Sequence, residues 1–214
     1  MILGIDQSLT STGWAVLDHE NGEIRDAGVI ESAGNVLDMA NKVLKGELCD
    51  IQKYILSKQK DLGDLVEYDE KKCKLVTKIP KSKMTKVQKK RLRMNIEGRL
   101  QHILDQLWDQ VLLDFDIYWS FQENISFGSS GQVVTLGQLL GAIQGFLISQ
   151  GVAVKGVAPT TLKSFAKARP KHKEDMEANM QDRDRVHLEG FKKKDDIVDA
   201  IWLARYGEIY VKEK

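Results

Sequence analysis

The sequence predicts a mixed sheet of five strands with helices on its faces, an α/β or α+β fold of moderate size. Three observations carry this. Runs of strand length and runs of helical period follow one another in the order β-β-β-α-β-α-β-α. Asn21-Gly22, a strong hairpin signal, separates the second and third strands, so the chain opens as a three-strand antiparallel meander. No internal repeat is visible, and 214 residues suit a single domain, 1–214, carrying a helical and basic insertion at about 38–93.

The elements follow in order. Ile2–Ile5 is a short apolar strand, Gly13–Leu17 a second and Glu23–Ile30 a third. From about Asn35 to Lys60, Val36, Met39, Val43, Leu44, Ile51, Ile55 and Leu56 recur at helical spacing. Asp61 to Lys83 has no clear period and reads as a loop or irregular insertion. Val87, Leu92, Ile96, Leu100, Ile103, Leu104, Leu107 and Val111 predict one long helix ending near Leu113. Asp116–Gln122, β-branched and aromatic, is the fourth strand, followed by the flexible Gly128-Ser129-Ser130-Gly131. Val133 to Gln150 is mostly apolar, with Gly137, Gly141 and Gly145 every fourth residue, the pattern of a helix that is buried or packed on a partner. Val152–Val157 is the fifth strand, Pro159 suits the first turn of a helix, and Asp195 to Tyr206 is an amphipathic helix.

Composition excludes several classes. With 42% hydrophobic and 29% charged residues the chain has material for a packed core. No apolar run approaches the roughly 20 residues that span a bilayer. Met1-Ile2-Leu3-Gly4-Ile5-Asp6 reaches a carboxylate too soon for a secretory signal. Cys49 and Cys73 lack metal-ligand spacing, and His19, His102, His172 and His187 form no H-x-x-x-H motif. Two cysteines without such spacing suit a reducing cytoplasm, the expected location.

The net charge of +1 hides an asymmetry. Between Lys71 and Arg93 lie eleven basic residues, Lys86, Lys89, Lys90 and Arg91 among them, and no acidic one. Such a run repels itself and calls for a polyanion or a solvated surface. It holds no aromatic residue, so stacking on single-stranded bases is not indicated. A second, weaker basic region contains Lys163, Lys167, Arg169, Lys171 and Lys173.

Four acids stand out by position. Asp6 ends the first strand and Glu123 the fourth, while Asp196 and Asp199 share one face at the start of the last helix. If the first and fourth strands are neighbours, Asp6 and Glu123 emerge at one sheet edge, and the last helix needs only to pack across it. Converging carboxylates raise one another's pKa unless cations lie between them, and hard Mg²⁺ or Mn²⁺ fits an all-oxygen set. Two such ions can activate a water and stabilise a leaving oxygen in phosphodiester hydrolysis. Alternatively, such acids are turn residues and surface caps. Asp195, four residues before Asp199, is not excluded as a ligand by spacing; its place before the apolar run suits an N-cap.

Five segments, in order, resemble the RuvC family of Holliday-junction resolvases, within the RNase H-like fold. Gly4-Ile5-Asp6-Gln7-Ser8-Leu9-Thr10-Ser11-Thr12-Gly13-Trp14-Ala15-Val16 is similar to the family's opening motif, and Phe121-Gln122-Glu123-Asn124 to the strand ending in its second acid. Leu136–Ala142 resembles the helix that follows, Val157–Lys163 the strand-to-helix segment with a phosphate-facing lysine, and Asp196–Ala200 the terminal D-x-x-D-A motif. The likeness covers roughly residues 1–35 and 95–206. It implies a five-stranded mixed sheet flanked by helices, two Mg²⁺ ions held by Asp6, Glu123, Asp196 and Asp199, and a homodimer. That dimer would nick a four-way DNA junction symmetrically, leaving 5′-phosphate and 3′-hydroxyl ends in recombination and repair.

By the same resemblance Lys163 stands beside the scissile phosphate, and Lys171 or Lys173 takes a second position. Phe127 lies where the family often has an aromatic that pushes into the junction; an apolar plug under the loop is the other reading. Two departures matter. Gln7-Ser8 replaces the Pro-Gly of many members, and about 55 extra residues precede the long helix, as in phage-encoded relatives that accept broader sets of branched DNA. Lys86, Lys89, Lys90, Arg91 and Arg93 in that insertion are candidates for gripping duplex arms.

Two other classes compete. A noncatalytic nucleic-acid-binding module would share the fold and lack the chemistry. The G-I-D-x-x-x-T-x-x-G run also resembles the first phosphate loop of actin-like ATPases and sugar kinases, but the second phosphate loop and adenosine-binding glycine pair are missing.

Overall fold

The computed structural model describes residues 1–31, 65–92, 96–125, 133–169, 172–191 and 194–214, with the Arg91 side chain excepted. The expected helix over 35–60, Arg93, Phe127 and Lys171 lie outside the described residues. The chain divides into two compact units, Met1–Glu31 with Ile103–Lys214, and Ser32–His102.

The first unit is built on five strands: β1 (Ile2–Asp6), β2 (Thr12–Asp18), β3 (Glu23–Ile30), then, across the second unit, β6 (Trp119–Glu123) and β7 (Ala153–Val157). Their order is β3-β2-β1-β6-β7, with β1–β2 and β2–β3 antiparallel and β1–β6 and β6–β7 parallel. This is the predicted mixed sheet, opening with the predicted meander. Gly22 adopts φ 68° at the end of the β2–β3 turn, and its N–H reaches Asp18 O at 2.8 Å. β6 begins at Trp119 rather than Asp116, and just before it Tyr118 N–H donates to Met1 O at 3.1 Å.

In the second unit, β4 (Val66–Asp69) and β5 (Lys74–Thr77) form an antiparallel hairpin, correcting the expected irregular loop. Its strands are four residues long, with three charged residues among the eight, too short for alternation to show. The expected single helix from Val87 to Leu113 is instead α1 (Lys86–Arg91), α2 (Ile96–Leu107) and a π-helical turn over Trp108–Leu112. Helical periodicity survives such interruptions, so it could not reveal them.

α3 (Val133–Ser149) buries Leu139, Ile143 and Leu147. Short helices α4 (Pro159–Phe165), α5 (Glu174–Ala178) and α6 (Asp182–Arg185) lead into α7 (Asp195–Lys212). α7 packs on β1, β2 and β6, six residues longer than predicted and buried well beyond one stripe. Two strand glycines let it sit so close: a Cβ at Gly4 would collide with the Ala200 carbonyl, and one at Gly13 with the Asp196 carbonyl. Ile2, Ala15, Leu17 and Phe121 fill the rest of that face beneath Ile197, Ile201 and Ala204.

Candidate active site

Strand alternation decides where the acids point. Ile2 and Phe121 belong to the core under α7. By the two-residue period Asp6 and Glu123 are on the same face, at the last positions of β1 and β6. The two strands run parallel side by side, with Ile5 opposite Gln122, so both carboxylates leave the same edge. α7, seated on that face by Gly4 and Gly13, brings Asp199 to them. Carboxylate oxygens of Asp6, Glu123 and Asp199 lie within 4.8 Å of one another.

These three acids line a cleft of about 130 Å³ with Lys163, Lys173, Pro159, Leu162 and Met176. Asp196 is half-buried and not among the three; its charge nonetheless bears on both Asp6 and Asp199. Asp195 is exposed and does not cap the helix. It is the first residue of α7, Lys194 holds the cap position in helical conformation, and no side chain caps the end. The Lys194 carbonyl accepts the first helical bond, from Val198 N–H at 2.9 Å, as a cap residue's does, so the cap lies one residue before the acid.

The lysines come from the α4–α5 region. Lys163 is half-buried on α4, and Lys173 immediately precedes α5. The chain between the helices is tied down from α5. Asp175 accepts bonds from the Arg169 backbone N–H (2.9 Å), Nε (2.7 Å) and Nη2 (2.8 Å). Asn179 Nδ2 donates to the carbonyls of Ala166 (3.0 Å) and Lys167 (3.1 Å), the latter residue at φ 54°. Sequence left Lys171 and Lys173 as equals; Lys173 lines the cleft.

Gln7 and Ser8 both hold the turn that follows Asp6. Gln7 Nε2 donates to the Glu123 backbone carbonyl, joining the exits of β1 and β6. Thr12 Oγ1 donates to Ser8 O at 2.8 Å, closing the turn after Asp6.

Like charges in a partly dry cleft shape the electrostatics. Burial, then the charges of Asp199, Glu123 and Asp196, hold the Asp6 carboxyl well above the ordinary range, with Lys173 opposing. Burial and Asp199 raise Glu123 against the pull of Lys163 and Lys173. Asp199 is pushed up to about 6, by burial first, with Asp195 and Asp196 adding and both lysines opposing. Burial works to lower Lys173, but Asp199, Asp195, Asp6 and Asp196 together outweigh it and hold its pKa up. Three crowded carboxylates offering only oxygen are a donor set that hard divalent cations satisfy.

No protein-family model matches the chain by sequence, and no curated protein matches it. Among solved structures, it is similar to Thermus thermophilus RuvC in complex with Holliday junction substrate, with 15% identity and a TM-score of 0.55 over 99% of this chain and 95% of that one. Thermus thermophilus RuvC by itself matches at 16% identity and TM-score 0.54 over the same shares. The yeast mitochondrial Holliday junction resolvase Ydc2 matches at 12% identity and TM-score 0.46, covering 99% and 85%. The chain therefore has an RNase H-like fold, a five-stranded mixed sheet flanked by helices. Within that class its fold is that of RuvC.

Proposed function

We propose that this chain is a metal-dependent endonuclease that nicks branched DNA, four-way junctions foremost, leaving 5′-phosphate and 3′-hydroxyl ends. The observation that carries the reading is the meeting of Asp6, Glu123 and Asp199 within 4.8 Å, with Lys163 and Lys173 lining the same cleft. Asp6, Glu123 and Asp199 would hold Mg²⁺ or Mn²⁺, with Asp196 as a further ligand. Divalent cations there would supply an activated water and stabilise the departing 3′-oxygen. Lys163 and Lys173 bind the scissile phosphate and offset its charge as it gains electron density. A cleft of about 130 Å³ has room for ions and a few waters of roughly 30 Å³ each.

A homodimer belongs to the proposal. α3 carries no charged residue. Opposite its buried Leu139, Ile143 and Leu147 it presents Val134 and Ile148, 78% and 61% exposed. Between these lie Gly141 and Gly145, where an added Cβ would meet open space. An uncharged outer helix face is typical of an interface, and a two-fold pair would place two clefts on one junction. Sedimentation should give twice the chain mass; a monomer at all concentrations removes this part.

The deciding experiment compares labelled four-way, three-way and linear DNA with Mg²⁺ and with chelator. Paired nicks confined to branched substrates are expected. Asp6→Asn should abolish nicking while junction binding survives in chelator; normal nicking would remove Asp6 from the mechanism.

A further inference from the structure

The basic run of the second unit has no part in the cleft chemistry, yet it is built rather than strewn. Leu65, Met84 and Leu92 are buried together, with Val66 and Ile79 packed against them. Asp69 Oδ1 accepts the backbone N–H groups of Lys71 and Lys72, at 3.1 and 3.2 Å, and so shapes the hairpin turn. α1 opens with a capping box: Gln88 N–H donates to Thr85 Oγ1, and Thr85 N–H donates to Gln88 Oε1. These contacts place two lysine clusters. Lys71, Lys72 and Lys74 crowd the hairpin turn, and Lys86, Lys89 and Lys90 share one face of α1 at i, i+3 and i+4. All six are exposed; Lys72 Nζ pairs with Asp69 Oδ2 at 3.1 Å, and no acidic residue occurs from Lys71 to Arg91.

Holding like charges at helical spacing is unfavourable unless a polyanion neutralises them. The chemistry of the patch selects among polyanions. Lysines are compact point charges suited to phosphate and lack the planar fork of arginine. No aromatic residue lies between Lys71 and Arg91, so neither lysine cluster itself carries a ring for unpaired bases, and the exposed Tyr68 stands on β4 of the hairpin. Protein interfaces are depleted in lysine at their centres, whereas lysine dominates both clusters here.

We propose that the hairpin turn and α1 form a second, noncatalytic site that grips the phosphate backbone of duplex DNA, without regard to sequence or branching, through Lys71, Lys72, Lys74, Lys86, Lys89 and Lys90. The choice of DNA over double-stranded RNA rests on the nuclease reading above. The chain then binds linear duplex although it does not cut it.

The test uses the full chain in chelator and a short labelled linear duplex, with affinity read across a range of potassium chloride. Replacing Lys86, Lys89 and Lys90 together by alanine should weaken binding on the order of 10-fold and flatten the slope of log affinity against log salt by about 2–3, since each neutralised phosphate contributes about 0.9. Replacing Lys71, Lys72 and Lys74 should flatten it separately. The triple arginine variant of α1 should retain the slope, which separates lost charge from lost folding. Unchanged slopes in both alanine variants overturn the proposal. Displacement of the duplex by polyglutamate at equal charge overturns it in favour of an acidic protein partner, and preference for single-stranded DNA overturns the duplex assignment. Salt-dependent duplex binding through these lysines, with no nicking of any branched DNA in Mg²⁺, would sink the nuclease reading alone; nicking with unchanged slopes would sink this proposal alone.

Discussion

The two units handle charge in opposite ways. In the first, Asp6, Glu123 and Asp199 stand on strand ends and a helix turn that a large core holds. In the second, lysines ride on a hairpin and one short helix whose buried centre is Leu65, Met84 and Leu92. Enclosed charge is energetically costly and must be placed accurately, so it needs rigid elements; exposed charge costs little and acts by number. A catalytic cleft belongs to the first kind, and a backbone grip to the second.

The contrast breaks most readily at Arg205. Its guanidinium, 6% exposed on α7, meets the Asp184 carboxylate at 2.5 and 3.0 Å, Gly22 O at 2.7 Å and Glu208 at 3.0 Å. It ties α7 to α6 and the β2–β3 turn. Arg205→Ala leaves Asp184, 3% exposed, without its cation, and should cost about 3–5 kcal/mol in urea unfolding. A loss well below that would mean water reaches Asp184 and the first unit tolerates loose charge after all.

A smaller effect of opposite sign is expected at Asp199. Its carboxyl titrates near 6 when folded, above the ordinary 3.8, so the folded chain holds its proton more tightly than the unfolded one. That contribution to stability is complete below about pH 4 and is lost as pH rises through 6. In chelator at neutral pH, Asp199→Asn should therefore stabilise the chain by on the order of 1–3 kcal/mol, with the gain vanishing at acid pH. Added Mg²⁺ should stabilise the parent and not the variant. Thermal melts against pH, with and without Mg²⁺, read both; a pH-independent difference would show that the crowding is not electrostatic.

The smallest effect belongs to the second unit. Thr85→Ala removes the capping box of α1 and should cost about 1 kcal/mol, read as faster amide exchange in α1. If exchange in β1 and β6 accelerates equally, the two units open together and the contrast between them fails.

Much of this was legible along the chain. Apolar runs, Asn21-Gly22 and Pro159 are local signals, and each marks its element because turn chemistry and periodicity act over a few residues. The acids were legible because each ends a strand or starts a helix. The four-residue strands of the second unit were not, since two alternations cannot be told from chance. Nor was the end of α1 at Arg91, nor the cap before Asp195, which turns on the backbone angles of Lys194.

The sequence by itself determined the kinds of element, their order, the acids at their ends and the concentration of lysine between residues 71 and 90. Only the tertiary structure decided that β1 pairs parallel with a strand more than a hundred residues away, that Asp199 meets Asp6 and Glu123 while Asp196 stands outside the trio, and that Lys173 enters the cleft. The reason is that propensity and period are properties of neighbours in the chain. Convergence is a property of how β1, β6 and α7 pack, and it depended on the Gly4 and Gly13 surfaces that let α7 come close.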